Sequence, residues 1–132
     1  MVTLIYLLAA HAVCDYPLQG DWLSKAKNPT LIFDPKFGLR QPIKDDRYSP
    51  LMLERIWPLA LLSHALIHAA AVLLITGSIW LFLAELVAHT LIDYAKCKGA
   101  FGYNVDQYLH ILCKLAWVAV LLIWPATGDL GL

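Results

Sequence analysis

Residues Ser78 to Tyr94, SIWLFLAELVAHTLIDY, decide how this chain folds. The run approaches the roughly 20 apolar residues that carry a helix across a bilayer core of about 30 Å, yet it contains Glu85, His89 and Asp93. Their spacing of four puts all three on one helical face. A helix that is apolar except for one ionisable stripe must turn that stripe away from lipid and toward polar partners. Three further apolar runs supply them: Met1 to Gln19, Trp57 to Ile75 and Val105 to Trp124. His11, Asp15 and Gln19 recur at the same spacing on the first, His64 and His68 on the second, and Asp106, His110 and Lys114 on the last. All five histidines of the chain lie in these runs.

Composition agrees with a membrane setting. Hydrophobic residues make up 60% of the 132 positions and charged ones 15%, too little polar surface to wrap a soluble domain of this size. The expected fold is therefore all-α: a four-helix transmembrane bundle, forming one membrane domain over 1–132, with spans at about 1–19, 57–75, 78–94 and 105–124. The first run lacks a basic leading region and a small-residue cleavage pattern, so it is expected to be a span and not a secretion signal. Ten basic residues balance ten acidic ones, which argues against nucleic acid as a partner. The three cysteines, Cys14, Cys97 and Cys113, form no CxxC pair and no even disulfide set, and read as small packing residues.

The connection 20–56 carries Pro29, Pro35, Pro42 and Pro50 and is expected to be an irregular cap, with a short helical turn near Trp22 to Lys27. Seven of the ten basic residues lie in it (Lys25, Lys27, Lys36, Arg40, Lys44, Arg47 and Arg55), and Lys96 and Lys98 lie in the later connection on the same face. This bias is expected to place both connections in the cytoplasm and both termini outside. Only Thr76 and Gly77 separate the second and third runs, the signature of a helical hairpin. Pro17 is expected to kink the end of the first span and free the Val13 carbonyl. Trp57, Trp80 and Trp124 stand near span ends, where indoles anchor at the interface.

Counting about 1.5 Å per residue from the cytoplasmic ends places His11, His64, His89 and His110 at a common depth of roughly 9–14 Å. Asp15, Asp93 and Asp106 form a shallower layer at about 3–8 Å, and His68, Glu85 and Lys114 a deeper one at about 15–17 Å. The polar core should thus lie near the cytoplasmic side. Imidazoles interleaved with carboxylates on facing helices are the donor set of a bundle metal site. His11, Asp15, His64, His68, His89, Asp93, Asp106 and His110 are the candidate ligands for one or two divalent transition ions, zinc first, with manganese or iron as alternatives. Without a metal, the same residues would be a buried hydrogen-bond network that fixes the helix packing. Glu85 is either a catalytic base or the ion-pair partner of Lys114. Gln19 and Gln107 adjoin the acidic layer, where they either orient ligands or stand simply as polar residues at helix ends. Lys25, Lys96 and Lys98 suit an anionic group at the mouth or the membrane topology alone.

The motifs His11-x3-Asp15-Tyr16-x2-Gln19 with Lys25 following, His64-x3-His68, Glu85-x3-His89-x3-Asp93-x2-Lys96 and Asp106-Gln107-x2-His110 together resemble a family of small bacterial and phage integral membrane proteins, defined by a domain of unknown function. More distantly, the chain is similar to LexA-regulated, membrane-bound metal-dependent hydrolases. The first resemblance implies a bacterial inner membrane, and the second implies hydrolysis.

The functional expectation is a metal-dependent hydrolase acting at the cytoplasmic leaflet on a phosphorylated or ester-bearing amphiphile, with Glu85, Asp15 and Lys96 as catalytic candidates and membrane lipids as surroundings. Alternatives built on the same residues are di-iron lipid oxidation, a metal-ion or proton transporter or relay, which would call for a homo-oligomer, and a structural or interaction role.

Overall fold

The computed structural model describes residues 1–34, 37–41 and 55–124. Pro35, Lys36, Pro42, Lys44, Arg47 and Pro50, assigned above to an irregular cap, lie outside the described residues. Among the described residues five helices run in the order α1 (Val2–Asp15), α2 (Gly20–Ala26), α3 (Trp57–Thr76), α4 (Ile79–Cys97) and α5 (Tyr103–Ile123). The connection is not wholly irregular: between α2 and α3 the strands β1 (Ile32–Asp34) and β2 (Gly38–Arg40) pair antiparallel, with Phe33 opposite Leu39. The protein is thus mostly helical, with a small hairpin where an all-α fold was expected. Asp34 is buried in that hairpin and accepts a bond from Arg40 Nε at 2.8 Å, a side-chain pairing that no hydropathy pattern announces.

Local chemistry sets the helix ends. Pro58 sits in the first turn of α3, where a missing N–H leaves no hydrogen bond unmade. Gly77 closes α3 at φ 68°, a left-handed conformation that a Cβ disfavours. Ser78 then caps α4, its hydroxyl accepting from the Leu81 N–H at 3.4 Å. The expected hairpin therefore forms. The first helix differs from expectation, because α1 stops at Asp15 and is only about 21 Å long. Pro17 does end it, but the Val13 carbonyl is not free: the Leu18 N–H reaches back to it at 3.1 Å.

Four of the helices pack as a circuit, α1 against α3 and α5, and α4 against α3 and α5, while α2 lies on α3. The usual distribution of polarity is inverted. Among the described residues, all five histidines are buried together with Glu85, Asp93, Asp106, Lys114 and Lys27. Leu59, Leu66, Leu74, Leu83, Val87, Leu91, Leu112 and Leu122 face outward. Apolar packing is concentrated at one end, where buried Leu7, Val72 and Leu81 are flanked by Ile75, Trp117, Val118 and Leu121. Among the described residues two helices, α3 and α5, are long and apolar enough to cross a membrane, and most of each lies on the protein surface.

Candidate metal centre

The centre is built from the four stripes. Side chains lean toward the N-terminus of their own helix, so His68 on α3 leans toward the connection end of the bundle while Asp15, at the end of α1, leans inward. Their ligand atoms meet at 3.1 Å, although counting from residue 19 had assigned the two to different layers. The opposite lean of the two side chains closes a separation that a count along the helix axes overstates.

Asp15 Oδ1 also lies 3.5 Å from His64 Nε2. Asp93 stands across from it, with Oδ2 at 3.3 Å from His64 Nε2 and 3.7 Å from His89 Nε2, and Oδ1 at 3.5 Å from His110 Nε2. The imidazoles crowd together, His68 stacking on His89 at 3.8 Å between centroids and His89 on His110 at 4.1 Å. Two overlapping sets of donors result: Asp15, His64, His68 and His89 in one, and His89, Asp93 and His110 in the other. These buried His and Asp groups can hold a metal ion.

Two observations support the fit. Donors about 2.1 Å from a tetrahedral ion stand about 3.4 Å apart, and the nitrogen–oxygen separations just given run from 3.1 to 3.7 Å. The second is the state of the nitrogens. His64 Nδ1 and Nε2, His68 Nε2, His89 Nδ1 and Nε2 and His110 Nδ1 and Nε2 are buried with no hydrogen-bond partner, as are His11 Nδ1 and Asp106 Oδ1. Five of these nitrogens, His64 Nε2, His68 Nε2, His89 Nδ1, His89 Nε2 and His110 Nε2, lie 3.1 to 3.7 Å from carboxylate oxygens without a hydrogen bond between them. Leaving a buried polar atom unsatisfied costs about 1–3 kcal/mol. Nine of them would cost an amount comparable to the about 5–15 kcal/mol that holds a whole domain folded. A cation held by the two donor sets would take one nitrogen each of His64, His68, His89 and His110 and so remove part of that cost.

The remaining expected ligands sit at the margin. His11 Nε2 donates to Gln107 Oε1 at 3.4 Å and lies 3.4 Å from Asp15 Oδ2. Asp106 Oδ1 lies 3.5 Å from His110 Nε2, and Asp106 Oδ2 lies 3.5 Å from Lys96 Nζ. Neither residue belongs to the two donor sets. Gln107 Nε2 donates to Asp15 Oδ2 at 2.9 Å, which fixes that carboxylate. At the inner end Glu85 Oε1 accepts from Lys114 Nζ, and Oε2 accepts from Trp117 Nε1 at 2.6 Å. Glu85 Oε1 also lies 3.3 Å from His89 Nδ1, which turns His89 Nε2 toward Asp93. Lys25 is exposed and paired with Asp21, and Lys98 lies over the Tyr94 ring, so neither lines the centre. Gln19 reaches it through Lys27.

Lys27 and Trp117 were not singled out from the sequence. Lys27 is 2% exposed; its Nζ donates to Asp93 Oδ2 and, at 2.9 Å, to Gln19 Oε1. In the sequence it is one of seven basic residues in a connection, and only the turn through Pro17 and Gly20 folds it back over the bundle. Above the centre lies a polar cavity of about 40 Å3, lined by Asp15, Gln19, Lys27, Asp93, Lys96 and Asp106, with Tyr16 and Tyr103 at its rim joined hydroxyl to hydroxyl. The cysteines are free.

Fold and site together define a mostly helical protein with two helices fit to cross a membrane and a buried histidine–aspartate cluster able to hold metal. Compared with protein-family models, curated proteins and solved structures, the chain has no match in any of the three. The two family resemblances therefore rest on the motif residues alone.

Proposed function

We propose that this protein is a four-helix transmembrane bundle that binds one or two divalent transition ions, zinc first, and hydrolyses a phosphorylated or ester-bearing amphiphile reaching it from the side of the long connection. The observation that carries the reading is the convergence of buried, unpartnered imidazole nitrogens on Asp15 and Asp93. Inverted polarity supports the membrane: a core of ionisable groups under an apolar surface is stable where the surroundings are hydrocarbon. Aromatic residues at both ends support it too, with exposed Trp80 and Trp124 at one and Tyr16, Trp22 and Tyr103 at the other. The basic connections would face the cytoplasm.

A divalent ion here would supply Lewis acidity at the scissile group. The chain's own residues do the rest. Asp15, held by Gln107, is placed to accept a proton at the floor of the cavity. Lys27 and Lys96 stand in that cavity beside Asp93 and Asp106, and with a divalent ion held by the carboxylates they would tip its charge toward an anionic head. Glu85, engaged by Lys114 and Trp117, orients His89. Leu7, Val72 and Leu81 close the far end. That closure favours a one-sided reaction chamber over a path through the membrane.

The test uses protein in liposomes loaded with zinc or manganese, with phosphate release from phosphatidic acid and fatty-acid release from a neutral ester lipid as readouts. The expected result is metal-dependent turnover of one of these, lowered about 100-fold or more in Asp15→Asn with the helical circular-dichroism signal kept. Metal-loaded protein inert toward both lipids would end the hydrolase reading.

A further inference from the structure

The polar cavity above the centre opens onto both donor sets, because Asp15 of the first and Asp93 of the second line it. Asp106 lines it as well, so three carboxylates face the two ammonium groups of Lys27 and Lys96. That balance suits a cation better than an anion. The two lysines, however, are not placed alike. Lys96 is 29% exposed and lies 3.5 Å from Asp106, which belongs to neither donor set. Lys27 is buried, and its Nζ donates to Asp93 Oδ2, the oxygen that also lies 3.3 Å from His64 Nε2 and 3.7 Å from His89 Nε2. The Lys27 ammonium therefore holds an oxygen that the imidazoles of the centre also face.

We propose that the cavity is the port through which a divalent metal ion reaches the donor sets, and that Lys27 competes with the ion for Asp93 Oδ2 and so sets the affinity of the centre. This rests on the metal-binding part of the proposed function and adds its regulation; hydrolysis is not needed for it. Two cations on one carboxylate oxygen repel strongly where water is excluded, so an ion arriving at Asp93 must displace the ammonium. The side chain suits that task. Lys27 follows the last residue of α2, its four-carbon stem is flexible, and a second of its three N–H groups is held by Gln19 Oε1 at 2.9 Å. Displaced from Asp93, the ammonium keeps Gln19 and turns into the cavity that it already lines. Asp93 is then neutralised throughout the exchange, by the ammonium before it and by the ion after it, and is never left as a lone buried charge.

The experiment is zinc titration of the detergent-purified full chain against a competing chelating dye, for wild type, Lys27→Met and Lys96→Met. Loss of the ammonium bonded to Asp93 should tighten zinc binding about tenfold or more in Lys27→Met. Lys96→Met, which breaks a partly solvated pair outside the donor sets, should stay within about threefold of wild type. Thermal midpoints give a second readout: at one free zinc concentration, the rise that zinc causes should be larger in Lys27→Met than in wild type, because a ligand stabilises according to its affinity. Lys27→Gln keeps a donor for Asp93 without the charge, and it should also bind zinc more tightly than wild type; it carries the test if Lys27→Met fails to fold. Affinity unchanged or weakened in the Lys27 variants, or raised as much by Lys96→Met, would overturn the proposal. Zinc bound by neither wild type nor variants would overturn it together with the metal-binding reading. The expected Lys27 effect in a protein that turns over no lipid would uphold the proposal and leave the hydrolase reading to fail alone.

Discussion

Lys114 and Glu85 are each about 2% exposed or less and form a buried ion pair, with Trp117 completing the Glu85 carboxylate. Such a pair adds little to stability compared with apolar residues of the same volume, but removing one partner strands the other charge. Lys114→Met should therefore destabilise the fold by about 3–5 kcal/mol, and Lys114→Met combined with Glu85→Gln should restore a good part of the loss. Denaturant titration of the detergent-solubilised protein measures both, and a double variant no more stable than the single would contradict the pairing. At this scale the sequence was informative where spacing carried the signal. His64-x3-His68 and Glu85-x3-His89-x3-Asp93 turn inward as their periodicity requires, and Lys114 with Glu85 was one of two readings offered for those residues. Lys27 was illegible because its burial depends on where a connection folds, and Trp117 because an indole in an apolar run looks the same whether or not its N–H has a partner. His11 and Asp106 show a further limit, since a face of a helix can be read from spacing but the angular position of a donor within that face cannot.

Helix ends illustrate the same contrast between local and non-local causes. The hairpin of α3 and α4 was legible because Gly77 and Ser78 carry their own conformational preferences into any context. Gly77→Ala would place a Cβ at φ 68°, where nothing crowds it sterically from outside the turn but the backbone itself is strained. The expected cost is about 1–2 kcal/mol, seen as a lower thermal midpoint with the bound-metal stoichiometry unchanged; an unaltered midpoint would mean the turn is not left-handed in the protein. The short strands β1 and β2 were not legible. Three-residue strands carry too little alternation to stand out, and their pairing is reinforced by the Asp34–Arg40 contact, a product of the folded hairpin. The end of α1 was misplaced by four residues for a related reason: Pro17 signals a stop, but not how the chain recovers its hydrogen bonds, which Leu18 does by bonding back to Val13.

Across the whole molecule, polarity is graded along the bundle. One end is packed by Leu7, Val72 and Leu81; Glu85 and Lys114 come next, then the imidazoles, and at the other end the cavity with Lys27 and Lys96. The sequence forecast the middle of this gradient, the acidic, imidazole and Glu85–Lys114 layers, from residue counts along four runs, but it set His68 too deep and foretold neither the apolar end nor Lys27. The choice between a metal centre and a plain hydrogen-bond network was not legible, since both use the same residues. The geometry suits a metal: the buried nitrogens stand 3.1 to 3.7 Å from the carboxylates without hydrogen bonds to them. Elemental analysis of detergent-purified protein, prepared without chelator, is the most direct test, with wild type beside a His64→Ala/His89→Ala double variant and the moles of each transition metal reported per chain. The account predicts about one or two equivalents in wild type and almost none in the variant. Wild-type protein that stays empty after reloading with zinc, manganese and iron, or a variant that holds as much metal as wild type, would contradict it.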